Sequence, residues 1–87
     1  MRKSYATVFS YLETELQSLY EVIDDNRDDD SVLLAVQSRL KDLNKRIRGI
    51  MKETKSWRLF ASFKWTILDI EEMLNAIDRL LAGYRWD

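Results

Sequence analysis

The chain contains no cysteine, no histidine and no proline, and only two glycines, Gly49 and Gly83. Each absence removes a class of protein. Without Cys there is no disulfide framework and no thiolate nucleophile, and without His there is no imidazole general base. Lacking both, the chain has no zinc-finger ligand set and no Glu-x-x-His site of the ferritin type. With so few glycines, no glycine-rich loop exists to cradle a phosphate. No apolar run approaches the ~18 residues that a bilayer span requires, and no short apolar segment with a small-residue cleavage site opens the chain. What remains is helix-forming: 87 residues, 46% apolar and 33% charged, with almost nothing to interrupt a backbone ladder. That apolar fraction is too high for disorder. The expectation is a single soluble, cytoplasmic, all-α domain over residues 1–87.

Apolar spacing carries the strongest signal. Tyr5, Phe9, Leu12, Leu16, Leu19 and Ile23 follow one another at intervals of 4, 3, 4, 3 and 4. Leu33, Val36, Leu40, Leu43, Ile47 and Ile50 do so at 3, 4, 3, 4 and 3. A third set, Phe60, Phe63, Ile67, Ile70, Leu74, Ile77 and Leu81, continues the alternation. Each set lines one side of a helix with the 3.5-residue period of knobs-into-holes seams. Three such seams in so short a chain predict near-parallel axes, as in an up-down antiparallel three-helix bundle, alone or completed by dimerisation.

Two breaks divide the helices. Asp24-Asp25-Asn26-Arg27-Asp28-Asp29-Asp30-Ser31 is polar and aperiodic, with Asp30 or Ser31 placed to cap the helix that follows. A calcium loop would need a central Gly and a closing Glu that this run lacks. The second break has neither Gly nor Pro. Between Ile50 and Phe60 only Thr54 and Ser56 can cap, and the stripe changes phase. The preferred reading is a turn at about 53–57, giving helices over about 4–24, 32–54 and 57–83 with an acidic loop at 25–31. The alternative is a helical hairpin with one continuous helix over 32–82, on the order of 75 Å long, which a second chain would have to clad. Gly49 lies off the core stripe, where it costs about 1 kcal/mol relative to Ala. It reads either as a tolerated surface Gly or as a point of close approach by a partner. Gly83 suits a helix C-terminus.

The net charge of −1 conceals a segregation. Residues 1–30 carry three cations against eight acids, residues 31–66 nine against two, and residues 67–87 two against five. Oppositely charged helices lying side by side account for this, and so would a middle helix that meets an acidic partner.

Catalysis has little to stand on. Glu71 with Glu72 and Asp24 with Asp25 are adjacent pairs whose members point about 100° apart on a helix, so neither pair converges on a substrate. The expectation is a non-enzyme with no cofactor and no metal. Two surfaces are candidates for binding. Lys41, Lys45, Arg48, Lys52 and Lys55 recur at 4, 3, 4 and 3 on the exposed side of helix two, a row about 20 Å long suited to an acidic protein groove or to phosphates. Nucleic acid is the lesser of these readings, because the flanking helices are acidic and the isoelectric point is about 5.4.

Helix three supplies the second surface. Opposite its core stripe lie Trp57, Ala61, Trp65 and Leu68, with Arg58 and Lys64 beside them. A helix apolar on two sides must be covered on both, either by the chain's own ends (Tyr84, Trp86 or residues 1–8), by a second copy, or by a foreign protein. The same basic and aromatic composition would suit an interfacial membrane helix, except that an acidic helix continues from it without a break. On helix one a quieter row of Thr7, Ser10, Thr14 and Ser18, near Tyr11 and Val22, reads as a wettable face. No family motif stands out. The function expected is a small protein–protein interaction module resembling inhibitors, adaptors, immunity proteins or antitoxins in architecture alone, with homo-oligomerisation as one form of that binding. Trp57, Trp65 and Leu68 would be its anchors, and the row from Lys41 to Lys55 would steer it.

Overall fold

A computed structural model describes residues 5–83, with side chains from residue 7 onward. Three helices account for nearly all of it: α1 (Tyr5–Asp25), α2 (Asp30–Glu53) and α3 (Trp57–Leu81). Tyr84 and Trp86, and Tyr5 as a core side chain, lie outside what is described.

The connections are four and three residues long, Asn26–Asp29 and Thr54–Ser56, so consecutive helices must double back. Cross-helix pairs fix the sense of packing. Gln37 Nε2 donates to Asp78 Oδ1 at 2.9 Å and Arg48 reaches Glu71 at 3.1 Å, so position rises along α2 as it falls along α3. The chain is an up-down three-helix bundle of 44 × 20 × 19 Å, and α1 runs in the same direction as α3.

The bundle closes on the predicted stripes. Leu33, Leu40, Ile47, Phe63, Ile70 and Ile77 are the most fully buried large side chains, and all six belong to α2 and α3. From α1 only Leu12, Leu16 and Ile23 are buried, with Val8, Phe9 and Leu19 packed at the margin. Phe9 stacks on Phe63 with ring centroids 4.4 Å apart, which fastens the start of α1 to the start of α3. A charged strut supports the α1–α2 seam: Arg39 Nε donates to Glu15 Oε1 at 2.7 Å, and the same guanidinium reaches Asp42 at 3.3 Å. Its hydrogen bond to the Glu15 carboxylate holds the Arg39 guanidinium above its ordinary pKa.

Three details depart from the sequence reading. Phe60 is 45% exposed rather than core, because it lies in the first turn of α3, where the bundle ends. Met73 is buried while Leu74 is only half-buried. A stripe written every 3.5 residues drifts around a helix of 3.6 residues per turn, which brings Met73 toward α1 and moves Leu74 to the α2 side. The α2 helix begins two residues earlier than expected. Its cap is Asp29, whose Oδ1 accepts from Val32 N at 3.3 Å, so Asp30 is already helical and neither Asp30 nor Ser31 is the cap.

The second turn forms without Gly or Pro because two hydroxyl side chains displace the backbone ladder. Thr54 and Ser56 are extended, Thr54 Oγ1 accepts from Ser56 N at 3.3 Å, and Ser56 Oγ accepts from Leu59 N at 3.4 Å. A continuous helix would have left both apolar stripes in water. At the far end of α3, Gly83 takes φ +92° and donates to Leu80 O, the left-handed close that glycine adopts without strain.

Two substitutions test this packing. A Cβ on Gly49 would meet nothing within 4 Å, so Gly49→Ala is expected to stabilise the fold by about 1 kcal/mol in urea titrations. Phe63→Ala removes the ring that α1 stacks on, and is expected to cost about 3–5 kcal/mol, much of what so small a domain has.

Candidate functional site

Because α3 turns Phe63, Ile67, Ile70 and Ile77 inward, the residues half a turn around the helix from them face away from both neighbouring helices. The outer face therefore carries Trp57 (76% exposed), Trp65 (70%) and Leu68 (41%), with Ala61 half-buried between them and Phe60 on one flank. Arg58 and Lys64 border the patch, and among the described residues neither is within ion-pair distance of a carboxylate. The Arg58 guanidinium lies 5.7 Å from the Trp57 ring centroid, a cation–π contact worth about 0.5–1 kcal/mol at an exposed site. All six residues expected from the sequence thus share one face. Phe60 joins them, and its phase relative to Trp57 and Phe63 was the available sign of that.

The basic row is less uniform than its spacing suggests. Lys41, Lys45 and Lys52 are exposed on α2, but Lys55 lies in the turn beyond Glu53, where the helix has ended, and so is not part of the helix-two stripe. Arg48 is engaged: it donates to Asn44 Oδ1 at 2.6 Å and to Glu71 Oε1 at 3.1 Å. Lys41 borders a shallow trough with Gln37, Glu71, Leu74, Asn75 and Asp78, so the row runs beside the acids of α3 rather than over open solvent. Side-by-side opposite charges therefore absorb part of the segregation. Around Gly49 no other segment comes close. On α1, Thr7, Ser10, Thr14 and Ser18 are exposed, and Thr14 Oγ1 donates to Ser10 O at 2.9 Å, as a solvated helix face does.

Folding reorganises the remaining charge by end rather than by helix. The half of the bundle toward the α2–α3 turn, residues 5–14 and 42–68, has seven cations against three acids. The half toward the α1–α2 loop, residues 15–41 and 69–83, has four cations against eleven acids. The described chain is an electrically polar rod with one basic and one acidic end. Among the described residues, no group of three acids is arranged to hold a metal ion.

A feature that the sequence reading missed opens on the acidic half. Between α1 and α3 runs a groove of about 580 Å³ lined by Leu16, Ile23, Met73 and Ala76, by the exposed Tyr20, and by Glu13, Gln17, Asp69 and Glu72. A smaller hollow of about 60 Å³ extends it to Asp24, Arg27 and Leu80. Nothing in the heptad stripe marked it, because Met73, which lines it, lies off that stripe.

The fold and this surface define the class: a small all-α bundle that presents an aromatic, cation-bordered helix face. No helix among the described residues is long and apolar enough to cross a membrane. In comparisons with protein-family models, with curated proteins and with solved structures, the chain matches none.

Because the two indoles contribute little to the core, Trp57→Ala combined with Trp65→Ala is expected to change unfolding free energy by no more than about 0.5 kcal/mol. Superimposable far-ultraviolet circular dichroism and urea midpoints check this. A loss of several kcal/mol would place the rings in the core instead.

Proposed function

We propose that this protein is a cytoplasmic, non-catalytic protein–protein interaction module, of the inhibitor, adaptor, immunity or antitoxin kind, and that it binds through the outer face of α3. The observation that carries this reading is the exposure of Trp57 and Trp65 on one helix face, with Leu68 between them and the acidic half. Each indole removes about 150–250 Å² from water when covered, roughly 4–6 kcal/mol of gross transfer free energy at about 25 cal/mol per Å². Tryptophan beside arginine is also the composition that dominates interface hot spots. Lys41, Lys45, Lys52 and Lys55 add a field that steers encounter with an acidic surface and contributes more to rate than to affinity.

Two other readings have less behind them. For nucleic acid, Arg48 is engaged with Glu71, and the eleven acids of the other half repel a long polyanion. For a lipid surface, the aromatic segment continues directly into Asp69, Glu71 and Glu72 on the same helix.

The test replaces Trp65 with a photoreactive aromatic residue in the native host, with Ser18 on α1 as a control position. Irradiation is expected to give a covalent protein adduct from position 65 and none from position 18. An equally clean background from both positions sinks the proposal.

A further inference from the structure

Of the three helices, α1 is held least. Among the described residues α2 and α3 each bury five apolar side chains. The α1 helix buries three, and none of these is among the six that are almost wholly removed from water. Between α1 and α3 lies the groove of about 580 Å³, space that a close-packed helix seam would fill with side chains.

The helix ends repeat the contrast. The α2 helix opens on the Asp29 cap with Asp30 in its first turn and has Lys52 in its last, and α3 opens on the Ser56 cap and has Arg79 in its last turn. The α1 helix has no acid in its first turn and no cation in its last, where Asp24 and Asp25 stand against the negative end of its dipole. Arg27, beyond the helix, pairs with Asp24 and relieves part of this. The charged strut from α1 to α2 is only half satisfied. Arg39 holds Glu15 Oε1, but Glu15 Oε2 is out of solvent and has no hydrogen-bond partner among the described residues. An acceptor buried in this way forfeits its hydration, and undocking α1 restores it. What holds α1 is the burial of Leu12, Leu16 and Ile23 and the stack of Phe9 on Phe63.

We infer that α1 is a hinged cover, which lifts from the bundle as one unit, pivoting at Asn26–Asp29, while α2 and α3 stay packed on each other. The six most buried side chains all come from α2 and α3, which the three-residue turn Thr54–Ser56 joins, so the hairpin keeps contacts of its own. Once undocked, α1 loses its helix, because most helical stability comes from tertiary packing. Lifting bares the face of Phe63 that Phe9 covers, and with it Met73 and Ala76 of the groove wall. Trp57, Trp65 and Leu68 stay on the hairpin, so the cover works independently of what binds the outer face of α3.

Amide hydrogen exchange of the full chain, followed residue by residue by NMR across low urea concentrations, tests it. In the wild type the best-protected amides of α1 are expected to exchange about tenfold or more faster than those of α2 and α3. Their opening is expected to depend on urea, but less steeply than that of α2 and α3, because less surface is exposed. Gly49→Ala supplies the second readout, since a Cβ there meets nothing within 4 Å and so acts on α2 without touching α1. It stabilises the closed bundle and the open hairpin alike. It is therefore expected to slow the best-protected amides of α2 and α3 about fivefold and to leave those of α1 unchanged. One rate and one urea slope shared by all three helices overturn the inference. So does an α1 that exchanges with no urea dependence, which is fraying and not the lifting of a unit. Equal slowing of all three helices by Gly49→Ala overturns it as well.

Discussion

The seam between α2 and α3 is the constraint from which the other features of this molecule follow. Six large apolar side chains, three from each helix, are almost wholly removed from water there, and no polar residue is classed among the buried ones within the described residues. That burial fixes the rotation of α3 about its axis. Once Phe63, Ile67, Ile70 and Ile77 point inward, Trp57, Trp65 and Leu68 point outward, and no rotation of α3 could hide both sets within three helices. The exposed aromatic face is thus a consequence of core packing. At Thr7, Ser10, Thr14 and Ser18 the exposed side of α1 carries hydroxyls where the outer face of α3 carries indoles.

The short turn after Glu53 determines the electrical shape. With Thr54 and Ser56 extended, the basic end of α2 and the cationic start of α3 are folded onto one end of the bundle, while the acidic loop and the end of α3 gather at the other. Exposed charges at such distances contribute little to folding, since solvent and salt screen them. Ion pairs across helices, Arg39 with Glu15 and Arg48 with Glu71 among the described residues, lie along the bundle's seams and trim the contrast between its ends without abolishing it.

Much of the architecture was legible in the residues. The heptad intervals named nearly every core position, because a 3.5-residue period leaves a helix only one way to bury them. The change of phase between Ile50 and Phe60, with Thr54 and Ser56 inside it, marked the turn. The candidate face was legible for the same reason: Trp57, Ala61, Trp65 and Leu68 share a period but differ in phase from the core. The basic row was read less well. Its period was correct, but a period cannot reveal that Arg48 meets Glu71 from another helix or that the helix stops before Lys55.

By itself the sequence determined which residues are helical, where the chain turns, and which side of each helix is apolar, since all three are set by neighbours within a few positions. The tertiary structure alone decided which helices lie against which, that α1 and α3 leave a groove between them with carboxylates in its lining, and that charge sorts by end of the bundle. Those properties arise from contacts between residues distant in the chain, whose relative placement depends on the packing of whole helices and not on any local pattern.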